Sequence, residues 1–296
     1  MTLTKEQKNQ FFQDGYIVVK ELLTTEELET LRNHYADLAL GRVPDYPEGN
    51  VSHHTPGTAQ AAEPPTPHGS RHDRRGTQVY PKGEVTAPED RTPVEDPLDT
   101  VSHLNLPSYH HSVFNAFVRS PKIVDIIESL MGPDIKLYYD QVFAKPPYAK
   151  ANRYHQDSIF WAFFASNFQV TCQVLLDDAT VEKGCVRFIP GSHHFGLVNW
   201  DHLPYMLTED VLAQEVAVPL KAGDATFHHS LALHCSGPNT TPYRRRGWSI
   251  HYVSSDTRYI GTPEETELLK QRGCLVGPEP VNGWPLIRGR EFPGCV

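Results

Sequence analysis

The sequence predicts a mainly β chain with flanking helices, its second half reading as an antiparallel sandwich or barrel. Three observations lead there. Runs rich in β-branched and aromatic residues recur between turn signals from Ile135 onward. Well-signalled helix starts cluster before residue 133. The 296 residues are 39% hydrophobic, 10% aromatic and 21% charged, which suits a globular chain able to bury a core without staples.

Taken in order, Thr4-x-x-Gln7 and Thr24-x-x-Glu27 have the capping-box form, in which side chain and backbone satisfy each other's free groups at a helix start. Between the two predicted helices the apolar run Tyr16 to Val19 reads as a strand. Leu28, Leu31, Tyr35 and Leu38 then repeat at helical intervals up to Gly41. From Pro44 to Pro97 ten prolines and scarce aliphatic periodicity predict a long irregular insertion within a single domain, with a lid as one role for it. Ser120-Pro121 starts a helix through Ile123, Ile126, Ile127 and Leu130 that stops at Gly132-Pro133. Strands are predicted at 135–143, 168–176, 185–189, 224–228 and 247–253. A short helix over Glu264 to Lys270 opens an extension, 261–296, rich in Gly and Pro.

The net charge of −9 and the absence of a basic run longer than Arg244-Arg245-Arg246 argue against nucleic-acid binding, which needs clustered cations to neutralise phosphates. Five widely spaced cysteines without a C-x-x-C suggest neither a disulfide framework nor a zinc knuckle, so a reducing, cytoplasmic setting is expected. No stretch approaches the roughly 18 apolar residues of a membrane helix.

The chemistry starts at Tyr154-His155-Gln156-Asp157. On a strand, His155 and Asp157 would share a face with Cα atoms roughly 6.5–7 Å apart, close enough to reach one metal ion. A second histidine would complete a two-histidine, one-carboxylate set, which leaves half of an octahedral metal open. His228, His229, His234 and His251 are the candidates. If 228–234 were one strand, His228 would lie about 20 Å from His234 and His229 would face away, so they cannot all be ligands. His234, before the turn Ser236-Gly-Pro-Asn239, is the natural choice. Arg245 follows on the expected return strand, where a planar guanidinium can hold a carboxylate; at least one of Arg244 and Arg246 is expected to be solvated.

The chain resembles the phytanoyl-CoA dioxygenase family of Fe(II)/2-oxoglutarate oxygenases. The likeness rests on Phe11-x-x-Asp-Gly-Tyr16, Leu130-Met-Gly132, Asp140-Gln141-x-x-x-Lys145-Pro-Pro147, His155-Gln-Asp157, Leu176-Asp-Asp-Ala-Thr180, Gly184-Cys-x-x-x-x-Pro-Gly-Ser-His193 and His234-x-Ser-Gly-Pro-Asn239 followed by Arg245. The resemblance implies a double-stranded β-helix, a jelly roll of the cupin-like kind. It implies that His155, Asp157 and His234 bind Fe(II), that Arg245 pairs with the distal carboxylate of 2-oxoglutarate, and that Ser236 supports it. Gln173 stands where many relatives place a tryptophan near the cosubstrate, and Gln141 is assigned to the same pocket. A carboxylate at Asp157 favours oxygen transfer over halogenation. With O2 as oxidant, the implied outcome is hydroxylation of an unactivated C–H bond in a small organic molecule.

Tyr139, Phe160, Trp161 and Lys145 are the expected substrate contacts, with Tyr154 and Phe163 as further aromatic candidates. His103 or Asn105 occupies the region where some relatives carry a cosubstrate lysine. His193 is expected to fix a turn, and His53, His54, His68 and His72 to be solvated. The alternative reading is a non-catalytic metal-binding jelly roll that binds a small molecule without turning it over.

Overall fold

The computed structural model describes residues 2–53, 81, 96–161, 163–264, 266–267 and 284–296. Both capping boxes form. Thr4 caps helix α1 (Lys5–Asp14) and Thr24 caps α2 (Thr25–Ala39), each donating the reciprocal bond from its backbone amide to the Gln7 or Glu27 side chain. Between them β1 (Tyr16–Val19) joins the edge of a sheet, entered through Gly15 in the left-handed conformation.

The proline-rich insertion is ordered at its flanks. A 3-10 turn (Glu48–Asn50) leads into β2 (Val51–His53), and another (Pro97–Thr100) into β3 (Val101–Asn105), which pairs with β2. This corrects the expectation of irregular chain throughout 44–97; residues 54–80 and 82–95 lie outside the described residues. Two short helices that the sequence did not signal, α3 (Pro107–His110) and α4 (Ser112–Val118), precede α5 (Pro121–Met131), which is capped by Ser120. Its Ile123, Val124, Ile126, Ile127 and Leu130 are buried, each worth about 1.5–3 kcal/mol of apolar transfer.

The rest is β. Strands β4 (Ile135–Lys145), β5 (Asn152–His155), β6 (Val170–Leu175) and β7 (Val186–Phe188) are followed by short helices α6 (Leu203–Met206) and α7 (Glu209–Leu212). Then come β8 (Val216–Ala217), β9 (Ala225–His229), β10 (His234–Ser236), β11 (Arg245–Ser254) and β12 (Leu286–Arg288). All strand pairings among the described residues are antiparallel. The larger sheet runs β1-β9-β6-β11-β4-β3-β2 with β12 also on β4, and the smaller runs β5-β10-β7-β8. The two sheets make the expected jelly roll. In the C-terminal extension, 263–264 and 266–267 are helical and 268–283 lie outside the described residues.

Strand alternation divides the larger sheet's faces. Trp248, Ile250 and Tyr252 of β11 pack with Tyr35, Phe114, Ile126 and Ile127 in the main core, while Arg245, Gly247, Ser249 and His251 point the opposite way, toward the smaller sheet. Asp140 pins the helical layer. Buried, it accepts from the Ser108 backbone amide at 3.1 Å, the Ser108 hydroxyl at 2.7 Å and Trp248 Nε1 at 2.9 Å. Burial still pushes its carboxyl up to about 6. Cys172, Cys185, Cys235 and Cys295 are free, and no helix among the described residues is long and apolar enough to cross a membrane.

Candidate active site

His155 and His234 are brought together by the smaller sheet, where β5 and β10 place them directly opposite each other. Asp157 does not continue the β5 strand. It opens a 3-10 turn, Asp157–Phe160, and reaches the same point from there. One ligand atom from each of the three lies within 4.8 Å of the others. His155 Nδ1 lies 3.0 Å from the Arg153 carbonyl and His234 Nδ1 lies 2.9 Å from that of Ala232. A carbonyl only accepts, so both Nδ1 atoms carry the proton and both Nε2 lone pairs are free for a metal. Asp157 Oδ1 stands 3.8 Å from His155 Nε2 and 3.6 Å from His234 Nε2.

Electrostatics keep this set in ligand form. Burial lowers the His234 imidazole to about 3 and lowers His155 as well. Burial alone would raise Asp157, but His234 and the hydrogen bond from His228 outweigh it and hold the carboxyl well below its usual range. Two neutral imidazoles and one carboxylate suit a first-row divalent ion with open positions.

His228 lies close to the triad, its ring 4.9 Å from that of His234 and its Nε2 3.1 Å from Asp157 Oδ2. The 20 Å separation expected for a continuous strand is corrected because the chain leaves the larger sheet after His229 and enters the smaller one at His234. His229 points elsewhere, its ring against Phe168 and Phe11. His251 reaches the site indirectly, with Nδ1 2.9 Å from the Thr171 hydroxyl.

Arg244, Arg245 and Arg246 differ sharply in their partners. Arg246 grips Asp177 with two 2.8 Å bonds, and Arg244 is paired with Asp96 and Asp99, so neither is the solvated arginine expected. Arg245, 5% exposed, has no carboxylate in ion-pair range among the described residues. Its Nη2 donates to the Gly184 carbonyl at 2.8 Å and its Nε has no partner among those residues. Burial lowers the guanidinium to about 10. Gly184 abuts Gly237, the residue after Ser236, so Arg245 reaches the smaller sheet at the end of β10. The buried Ser236 hydroxyl there also lacks a partner among the described residues.

Gln173 lies beside Arg245: a Cβ on Gly247 would meet Arg245 Nη1 at 3.4 Å and the Gln173 side chain at 3.7 Å. In register across the larger sheet, Asn105, Gln141, Ser249, Gln173 and Thr226 form one polar row. The Tyr139 hydroxyl donates to Asn105 at 2.9 Å, its ring stacks over His251 and Trp161 meets His251 edge-on at 4.7 Å. Phe160 lies 5.7 Å from the His155 ring and 5.4 Å from Trp200. His103 is turned against Phe143.

Lys145 is placed differently from a substrate contact. Its ammonium donates to the Gly237 carbonyl at 2.5 Å and to that of Lys150 at 3.1 Å, securing the turn after β10. Burial and the nearby Arg245 hold it well below the usual lysine range. Tyr154 bonds Glu215, and Phe163 packs with Tyr138 and Trp284, so both serve packing. His193 Nε2 donates to the Phe12 carbonyl at 3.0 Å, fixing its turn against α1. His53 bonds Thr100; His54, His68 and His72 lie outside the described residues. Sequence reasoning missed Thr171, which meets Asp157 and His251, and Trp200, whose ring meets Phe160; these contacts join residues distant in sequence.

A family model described as phytanoyl-CoA dioxygenase (PhyH) matches residues 11–247. The chain is 29% identical over 167 residues to a probable alpha-ketoglutarate-dependent hypophosphite dioxygenase of Stutzerimonas stutzeri, covering 51% of this chain and 56% of that one. It is 32% identical over 162 residues to the peroxisomal phytanoyl-CoA dioxygenase of Rattus norvegicus, covering 49% and 48%. These alignments span about half the length of each relative. Among solved structures, the alpha ketoglutarate-dependent epimerase SnoN from nogalamycin biosynthesis superposes with a TM-score of 0.65 at 22% identity, over 96% of this chain and 98% of that one. This likeness shows the shared fold.

Proposed function

Because the chain belongs to the phytanoyl-CoA dioxygenase family, we propose that it is a non-haem Fe(II)- and 2-oxoglutarate-dependent dioxygenase that hydroxylates an unactivated C–H bond of a small organic molecule. The observation that carries this reading is Arg245. A buried cation without a counter-ion is costly to hold, by several kcal/mol, and a pocket that keeps one is suited to an anion. The unpartnered Arg245 Nε and Ser236 hydroxyl supply donors for a carboxylate. Ser236 is two residues beyond the proposed ligand His234 on β10, so an anion held there would lie near the triad.

The residues present fit the group. His155, Asp157 and His234 would hold Fe(II); Arg245 and Ser236 would take the distal carboxylate of 2-oxoglutarate, with Gln173 beside it and Gln141 in the same polar row. With these bound, the metal supplies the O2 chemistry that couples decarboxylation of 2-oxoglutarate to succinate with oxidation of the substrate. Charge supports the assembly: a 2+ metal, the Asp157 carboxylate, a dianion and the Arg245 guanidinium sum to neutrality, which makes burial tolerable. Tyr139, Phe160 and Trp161, whose rings gather around His251 and His155, would form walls that orient the substrate and exclude water. The relatives' small-molecule names support a small-molecule substrate here.

The test is succinate formation from 2-oxoglutarate with Fe(II) and O2 across a library of small organic molecules. The reading expects succinate from the wild type, accelerated by a library member, and none from His155→Ala. A wild type that binds metal yet forms no succinate would favour the non-catalytic alternative.

A further inference from the structure

The two oxygens of Asp157 have different surroundings. Oδ1 faces the two ligand histidines. Oδ2 is occupied twice, by the Thr171 hydroxyl at 2.8 Å and by His228 Nε2 at 3.1 Å. A carboxylate only accepts, so both neighbours donate. Thr171 and His228 are cross-strand partners on β6 and β9, and Thr171 is also opposite His251 on β11. With its single proton committed to Asp157, Thr171 can only accept from His251, which therefore carries its proton on Nδ1. One row of the larger sheet thus reaches across to a ligand that belongs to the opposite side of the sandwich.

We propose that Thr171 and His228 are positioning residues that lock Asp157 as a one-oxygen ligand, so that Oδ1 alone meets the metal and the adjacent position stays open. Both lone-pair sites of Oδ2 are taken, so ligation through both oxygens would require it to give up one of two charge-assisted hydrogen bonds that the sheet holds in place. Without them, the carboxylate is free to rotate or to close on the metal with both oxygens, filling a position that the proposed reaction needs. The inference rests on the reading of the triad as a metal centre, and the experiment separates the two.

The probe is Co(II), titrated into the metal-free protein and read by affinity and by its visible ligand-field absorption. Thr171→Val keeps the side chain's shape and removes the donor; Thr171→Ser restores it. Thr171→Val is expected to bind Co(II) about 10–100-fold more weakly, as loss of a partner to a metal ligand typically does, with an altered spectrum. Thr171→Ser should recover both affinity and spectrum, which a merely structural role would not require. His228→Phe, judged by the same two readouts, is expected to shift them in the same direction and serves if Thr171→Val does not fold. Affinity within twofold of wild type and an unchanged spectrum in a folded variant would overturn the inference. Failure of the wild type itself to bind Co(II), or equal binding by His155→Ala, would instead overturn the metal-centre reading on which it rests.

Discussion

His155 and His234 are cross-strand partners with ring centroids 4.2 Å apart. The proposed metal centre is therefore tied to one pairing of two short strands, and its ligands meet only when β5 and β10 are in register. Divalent metal should stabilise the folded chain by mass action, by about 2.7 kcal/mol at a concentration 100 times Kd. His234→Ala is expected to abolish the Co(II)-dependent rise in Tm while leaving a cooperative melt; an undiminished rise would contradict the assignment.

The metal-free protein should lose stability on mild acidification. Burial is the largest cause lowering His234 to about 3 and His251 to about 4, whereas an unfolded histidine titrates near 6.5. Between about pH 6.5 and 4 the unfolded chain takes up protons that the folded chain refuses. Stability is therefore full above 6.5 and falls below it, by on the order of 1 kcal/mol per pH unit for one such group. Urea melts from pH 7.5 to 4.5 check this, with a shallower slope expected for His251→Gln. A flat wild-type profile over that range would contradict it.

Asp140→Ala is expected to cost about 3–5 kcal/mol, because it strands the Ser108 amide, the Ser108 hydroxyl and Trp248 Nε1 in the core. Urea denaturation measures the loss, and a cost below about 1 kcal/mol would show that the site relaxes or admits water.

Gly184 has φ +72°, and a Cβ there would stand 2.2 Å from the Gly237 carbonyl oxygen. Gly184→Ala should therefore spread the turn that receives Arg245. The expected outcome is destabilisation by more than about 1 kcal/mol together with weaker 2-oxoglutarate binding to the Co(II)-loaded protein, followed by calorimetry. Wild-type affinity in this variant would separate the turn from the anion pocket.

Local signals were legible in the sequence. The capping boxes at Thr4 and Thr24 and the proline start at Ser120 each fix a helix end through neighbouring residues alone. Long strands such as β4 and β11 carry enough pattern to be read directly. The three-residue β2 and β10 exist because of their partners, so their own residues say little. The same limit explains the misjudged distance from His228 to His234: the bend between them is set by two sheets, not by the residues from Ser230 to Leu233. It also explains Arg246, whose partner Asp177 is 69 positions away, and Lys145, whose acceptors lie in turns that only the fold brings near.

Arg245 is buried with no carboxylate in ion-pair range among the described residues, and its proposed role is to bind the cosubstrate beside the metal. Anaerobic titration of the Fe(II)-loaded protein with 2-oxoglutarate, followed by the visible charge-transfer absorption of the chelate, tests it most directly. The band is expected to saturate in the wild type, and Arg245→Ala to need at least tenfold more 2-oxoglutarate to reach it. Iron binding with no such band, or equal 2-oxoglutarate affinity in the variant, would contradict it.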